Sequence, residues 1–232
     1  RRHDNHTVIQ AMEMVREAGF NNINLDLIYG FPHQTLKTWE ASLKQVIALA
    51  PEHISLYALT LEEGTSLKAR VDYGSLPMPD DDLTADMYEL ATEHLNMAGY
   101  EQYEISNWAK AGYACRHNLQ YWHNTPYVGL GPGAHGFAGG VRYATILSPQ
   151  RYITAMNEEG GSYDFPRTPA VIDARKVTQA EDISETLMMC LRLLKEGVSL
   201  SEFKKRFATD LLGLHGKTFE KFEGYGLLEV TP

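Results

Sequence analysis

Apolar residues follow two different periods along this chain, and the switching between them predicts its first elements. Val8, Ile9, Met12 and Val15 recur at helical spacing after the polar stretch 3–7, and Gly19 stands where a C-terminal cap belongs, which predicts a helix over residues 6–18. Ile23, Leu25 and Leu27 then alternate with Asn22, Asn24 and Asp26 until Gly30 and Pro32 break the run, which is the period of a strand. Leu36, Trp39, Leu43, Val46, Ile47 and Ala50 trace a second helical stripe, stopped by Pro51, and residues 53–59 read as a second strand. Helix, strand, helix, strand at this spacing predicts an α/β fold with a parallel sheet built from βα units.

Residues 62–82 carry Gly64, Gly74, Pro77, Pro79 and three consecutive aspartates, and read as a surface excursion ending at a helix N-terminus. Leu83, Met87, Leu90, Ala91, Leu95 and Ala98 make that helix, and Gly99 closes it. Strands are predicted at 101–105, 127–130 and 141–143, followed by a helix that Ser148 caps and Pro149 opens. From about residue 170 the pattern is helical: Ile183, Leu187, Cys190, Leu191 and Leu194 first, then a helix carrying Phe203, Phe207 and Leu211, then one with Thr218, Phe219 and Phe222. A strand is expected at 226–230. Three short helices and a strand resemble a winged-helix module.

Composition narrows the function classes. The chain has 232 residues, 44% of them hydrophobic, with 30 acidic and 21 basic residues giving a formal charge of -9. Its field repels nucleic acid and anionic membranes. Cys115 and Cys190 are too few for a disulfide framework, and no window approaches 18 apolar residues, so a cytoplasmic protein is expected. The chain opens on Arg1-Arg2-His3 without Met and stops where a strand is expected, so the expectation is the interior of a longer protein.

Three stretches invite chemistry. In NLDLIYGFPHQT (24–35) one side of the predicted strand is polar, so it is either an exposed edge or the wall of a polar cavity, with Asp26 at the strand's C-terminal end, where barrel enzymes keep their sites. In Cys115-Arg116-His117-Asn118-Leu119-Gln120-Tyr121-Trp122, an imidazole stands four and five residues before two aromatics. That suits either an aromatic-walled pocket for a flat conjugated ligand or a core cluster with a bonded histidine. Zinc ligation by Cys115, His117, His123 and His135 finds no known ligand spacing. GLGPGAHG (129–136) holds a literal G-x-G-x-x-G at Gly131, Gly133 and Gly136, but Pro132 intrudes and a strand is expected next, so a dinucleotide fingerprint is rejected.

Together, NLDLIYGFPHQT, HNLQYW and GLGPGAHG resemble the oxygen-independent coproporphyrinogen III oxidase family of radical S-adenosylmethionine (SAM) proteins, and within it the HemW branch. The resemblance implies a partial (βα)6 barrel holding SAM and a [4Fe-4S] cluster, then an α+β extension and a winged-helix-like domain. It implies a division into 1–61, the last βα units of the barrel; 62–165, the extension with both later motifs; and 166–232, an incomplete C-terminal domain. The CxxxCxxC loop that ligates the cluster in this family is absent from the sequence, so the piece by itself is expected to be inactive.

Family roles fall on matching positions. Asp26 resembles the carboxylate that binds the SAM ribose, Arg1 the arginine that pairs with the SAM carboxylate, and Thr60 a backbone contact to adenine. The HNxxYW motif, His117, Asn118, Tyr121 and Trp122, implies haem binding and transfer to respiratory proteins. The alternative within the family is SAM-dependent decarboxylation of coproporphyrinogen III. The alternative from another class is a winged-helix nucleic-acid or partner-binding module, against which Lys217 and Lys221 are balanced by Glu220 and Glu223.

Overall fold

The computed structural model describes residues 4–158 and 161–231. They form two compact units, one up to Cys115 and one from Arg116.

The first unit begins with α1 (Asn5–Glu17), β1 (Asn24–Tyr29), α2 (Leu36–Ala48) and β2 (His53–Ala58), the predicted βα order. It continues with α3 (Ser66–Asp72), α4 (Asp81–Met97), β3 (Glu101–Glu104) and β4 (Asn107–Ala109). Local chemistry sets the helix starts. Asp4, Thr35, Thr65 and Asp80 each accept a backbone N–H of the first turn, and Thr35 and Thr38 close a reciprocal capping box. β1 pairs parallel with β2, as expected, but the sheet is then extended by antiparallel strands in the order β1-β2-β4-β3.

Period-2 alternation gives this sheet two unlike faces. Leu25, Leu27 and Tyr29 on β1 point with Ile54 and Leu56 of β2 toward α2 and α4, where Trp39, Leu43, Met87, Ala91, Leu95 and Trp108 complete a core. Trp39 Nε1 donates to the Met87 carbonyl at 2.8 Å, so even the polar edge of the indole is satisfied inside. Asn24, Asp26, His53, Ser55 and Asn107 share the opposite face.

The second unit holds α5 (Arg116–Trp122), β5 (His135–Ala138), β6 (Val141–Thr145), α6 (Pro149–Met156), β7 (Val171–Lys176), α7 (Gln179–Cys190), α8 (Leu200–Phe207) and α9 (Leu211–Gly224). β5, β6 and β7 form an antiparallel sheet in that order. Gly139 and Gly140, at φ 56° and 71°, supply the left-handed pair that a two-residue hairpin needs. Phe203, Phe207 and Leu211 anchor the helical end against Ile183, Leu187, Val198 and Phe219.

Asn124, buried at φ 46°, joins four segments of this unit. Its amide donates to Asp182 and Thr186 at 3.0 Å, its Oδ1 accepts from Arg142 at 3.0 Å, and its carbonyl accepts from Arg206 at 3.0 Å.

Several expectations are corrected. Residues 127–130 form no strand: Tyr127 alone bridges to Phe137, and the chain then bends at Gly131 and Gly133, both at positive φ. The helix expected to run through Leu211 is two, because Ala208 turns left-handed and Asp210 caps a new start by accepting from Gly213 at 3.1 Å. Residues 171–176 are a strand ahead of the helical region, and α3 interrupts the expected excursion. The strand expected at 226–230 does not form among the described residues.

Candidate functional site

Asp26 lies inside β1 and not at its C-terminal end as expected, because pairing with β2 carries the strand on to Tyr29; β1 is an edge strand of its sheet among the described residues, and the Asp26 side chain is exposed. Within the chain the polar side of the strand is thus open, and what it carries decides what it can do. Tyr29 is buried, and Gly30 follows at φ 80° with its Cα against Thr84, where an added Cβ would come within 3.0 Å of Oγ1. Phe31 N–H then donates to Gln34 Oε1 at 3.1 Å, which closes the turn that takes the chain away from the strand end. Thr60 is exposed, just past the end of β2. Arg1 lies outside the described residues.

Asp26 does not stand alone. The parallel register sets Asn24 opposite His53 and Asp26 opposite Ser55. Asn24 Oδ1 lies 2.7 Å from His53 Nδ1 and accepts from Ser55 Oγ at 3.2 Å, while Asn24 Nδ2 donates to Asp26 Oδ1 at 2.6 Å. On its other side His53 Nε2 lies 2.8 Å from the Tyr103 hydroxyl, which also accepts the Cys115 N–H at 3.3 Å. His53 is only 4% exposed, and burial lowers its pKa against the weaker opposing pull of the Asp26 and Glu104 charges, so the ring is held neutral. The same face runs on to Asn107, which donates to the fully buried Glu104 in a very short bond, and whose Oδ1 is buried without a hydrogen-bond partner among the described residues.

The second candidate group lies on α5. His117 is exposed, its Nε2 is 3.2 Å from the Tyr121 hydroxyl, and the two rings meet edge-on at 5.0 Å. Tyr121 in turn meets Tyr127 edge-on at 4.7 Å. Three rings therefore line up, and Tyr127 is one the motif did not reveal. Asn118 is half-buried on the same helix. Trp122 does something else: the Arg192 guanidinium lies over its ring at 4.2 Å, and its Nε1 is buried without a hydrogen-bond partner among the described residues.

GLGPGAHG is a tightly built loop. Thr145 Oγ1 donates to the Gly131 carbonyl at 2.7 Å and accepts from Ala134 N–H at 2.9 Å, while Gly129 N–H donates to the Tyr143 hydroxyl at 3.0 Å. A Cβ at Gly129 would fall 2.1 Å from the His135 carbonyl oxygen, and one at Gly136 would fall 2.2 Å from the Tyr143 ring. The loop leads into β5, not a helix, and these donors are spent inside the protein.

Among the described residues no group of three or more His, Cys, Asp or Glu is arranged to hold a metal ion, and no helix is long and apolar enough to cross a membrane. Cys190 is buried, and that burial raises its pKa, so it is not a reactive thiolate.

The chain is similar to known proteins in sequence and in fold. Residues 177–232 match the model of the HemN C-terminal domain. The chain is 37% identical over 226 residues to the heme chaperone HemW of Bacillus subtilis, covering 97% of this chain and 57% of that protein. It is 32% identical over 228 residues to the heme chaperone HemW of Lactococcus lactis, covering 98% and 57%. It is also 39% identical over 207 residues to the mitochondrial radical S-adenosyl methionine domain-containing protein 1 of Danio rerio, covering 84% and 44%. The fold matches coproporphyrinogen III oxidase (HemN) from Escherichia coli, a radical SAM enzyme, with a TM-score of 0.76 at 18% identity, over 99% of this chain and 54% of that one. The chain spans a little more than half the length of the HemW relatives from Bacillus and Lactococcus. Its mixed α/β architecture and these matches agree: residues 177–232 carry the HemN C-terminal domain pattern, and nearly the whole chain is similar to HemW proteins.

Proposed function

We propose that the protein works as a HemW-like haem chaperone in haem metabolism, binding SAM on the polar sheet face of its first unit and haem at α5 of its second. The observation that carries the reading is the exposed His117 imidazole beside the edge-on rings of Tyr121 and Tyr127. An exposed ring nitrogen can reach haem iron, and flanking aromatic surface suits a flat macrocycle. His117 would hold haem through its imidazole; Tyr121, whose hydroxyl lies 3.2 Å from Nε2, would release that nitrogen, and Trp122 with Asn118 would hold α5 in place. Respiratory proteins at the membrane would be the acceptors, and exposure of the ligand favours handing haem on.

For SAM the residues present fit. Asn24 occupies Asp26 Oδ1, which leaves Oδ2 of an exposed carboxylate to accept ribose hydroxyls. Thr60 would offer its backbone to adenine, and Arg1, outside the described residues, would pair with the SAM carboxylate. SAM, once bound, supplies a radical precursor; the residues here bind and orient it. For a [4Fe-4S] cluster the two cysteines of this sequence do not make a ligand set. In this reading residues 1–61 are the barrel part, 62–165 the extension and 166–232 a winged-helix-like end, the protein acts in the cytoplasm, and α7 to α9 support the helical half of that last module.

The test is made on the full-length protein, reconstituted anaerobically. Tight haem binding without conversion of coproporphyrinogen III is expected. Appreciable protoporphyrinogen formation with SAM under reducing conditions would overturn the chaperone reading in favour of the oxidase.

A further inference from the structure

We propose that His53 is a positioning residue, acting through Asn24 to fix the direction in which Asp26 presents its carboxylate. The inference rests on Asp26 as the ribose-binding group and adds to it a buried support that the motif does not contain.

Hydrogen-bond logic leaves one consistent arrangement. Asn24 Nδ2 approaches Asp26 Oδ1 at 2.6 Å. Turning the amide over would aim its carbonyl oxygen at a carboxylate, so the ionised Asp26 selects the orientation in which Nδ2 donates to it. Asn24 Oδ1 must then be the acceptor for both Ser55 Oγ at 3.2 Å and His53 Nδ1 at 2.7 Å, which puts the imidazole hydrogen on Nδ1. Nε2 is left as an acceptor, and the Tyr103 hydroxyl at 2.8 Å donates to it while receiving the Cys115 N–H. Every link has a single direction, from the backbone at Cys115 through Tyr103, His53 and Asn24 to Asp26.

Burial differs sharply along this line. His53 and Ser55 are 4% and 2% exposed, whereas Asn24 and Asp26 are exposed on an edge strand. An exposed aspartate samples several rotamers at little cost, and water competes for each of its oxygens. Here the amide that holds Oδ1 is itself held from beneath by groups that water does not reach. The structure therefore transmits the order of the buried layer to a surface carboxylate, the kind of support that keeps a binding geometry within its narrow tolerance. A neutral His53 suits the task, since a buried positive charge would cost more than these two bonds return.

The experiment measures SAM affinity by calorimetry on the full-length reconstituted protein without reductant, with a haem titration as a check on the rest of the molecule. His53→Leu removes both ring nitrogens at similar volume and is expected to weaken SAM binding about 3- to 10-fold, the range of one lost hydrogen bond. His53→Asn places an amide donor near the position of Nδ1 and is expected to restore most of that affinity, which a purely space-filling role would not do. In an Asn24→Ala background, His53→Leu is expected to have no further effect, because the link is already cut. Unchanged affinity in His53→Leu, failure of His53→Asn to recover it, or additive losses with Asn24→Ala would each overturn the relay while leaving Asp26 as a ribose ligand. Unchanged affinity in Asp26→Ala would overturn the ribose reading and the relay with it.

Discussion

The polar sheet face of the first unit and the α5 surface of the second are built on opposite principles. Around Asp26 the side chains are linked into a buried lattice, with His53, Ser55 and Asn107 nearly inaccessible and hydrogen bonds running from one strand to the next. Around His117 the imidazole is exposed and meets the Tyr121 hydroxyl at 3.2 Å. A resident cofactor rewards a site organised in advance, whereas a cargo that must leave rewards a ligand that is reachable and only lightly engaged. The proposed roles, a resident cofactor at Asp26 and a departing cargo at His117, call for such a contrast.

The largest effect that would break this contrast is expected at His117. His117→Ala removes the proposed haem-holding nitrogen and should weaken haem binding, read from the Soret titration, by about 100-fold or more, since losing only the support of a metal ligand costs about 10- to 100-fold. SAM affinity should not move. Asp26→Ala is the mirror experiment: losing a hydrogen bond to a charged group should weaken SAM binding on the order of 10- to 100-fold in calorimetry and leave haem binding as it was. If either variant harms both ligands alike, the division of labour is wrong.

A smaller effect sharpens the haem side. Tyr127→Ala removes one ring of the edge-on trio and should weaken haem binding by about 3- to 10-fold, the equivalent of one aromatic pair. An unchanged titration would confine the haem surface to the motif itself.

The smallest effect concerns the buried layer, where His53 has its pKa lowered from 6.5 by burial. The unfolded chain binds that proton more readily, so the contribution of the neutral ring is complete above about pH 6.5 and is lost as pH falls through that value toward the lowered folded one. Thermal melts of wild type and His53→Asn should run closer together at pH 5 than at pH 7.5. A gap that widens on acidification would contradict the sign.

Much of the first unit was legible because its elements obey one period for long enough. Trp39, Leu43, Met87, Ala91 and Leu95 lie at helical spacing and all reach the core. β7 escaped because Val171 to Lys176 offers only weak alternation, with Asp173, Arg175 and Lys176 exposed, and is held by its register with β6 instead of by its own apolarity. The split between α8 and α9 turns on one left-handed alanine, a backbone event with no compositional mark.

The candidate site divides the same way. Asp26 stood out because a carboxylate conflicts with a strand expected to be covered on both faces, although that strand runs on past it to Tyr29. His53 and Ser55 alternate with Ile54 and Leu56 just as visibly, but their meaning depends on a partner strand 29 positions away in register. Tyr127 reaches Tyr121 only because its backbone bridges to Phe137, a pairing that no local pattern announces.

Asn124 follows HNxxYW by two residues, and α7, α8 and β6 all depend on its one side chain and one carbonyl. In an arch such a piece is the keystone: it bears little load by itself, yet everything leaning on it shares one point of failure. Conversion of its amide to an acid, the ordinary fate of ageing asparagines, would set a second carboxylate against Asp182. Through that one atom swap, chemical wear would reach three elements that are far apart in sequence.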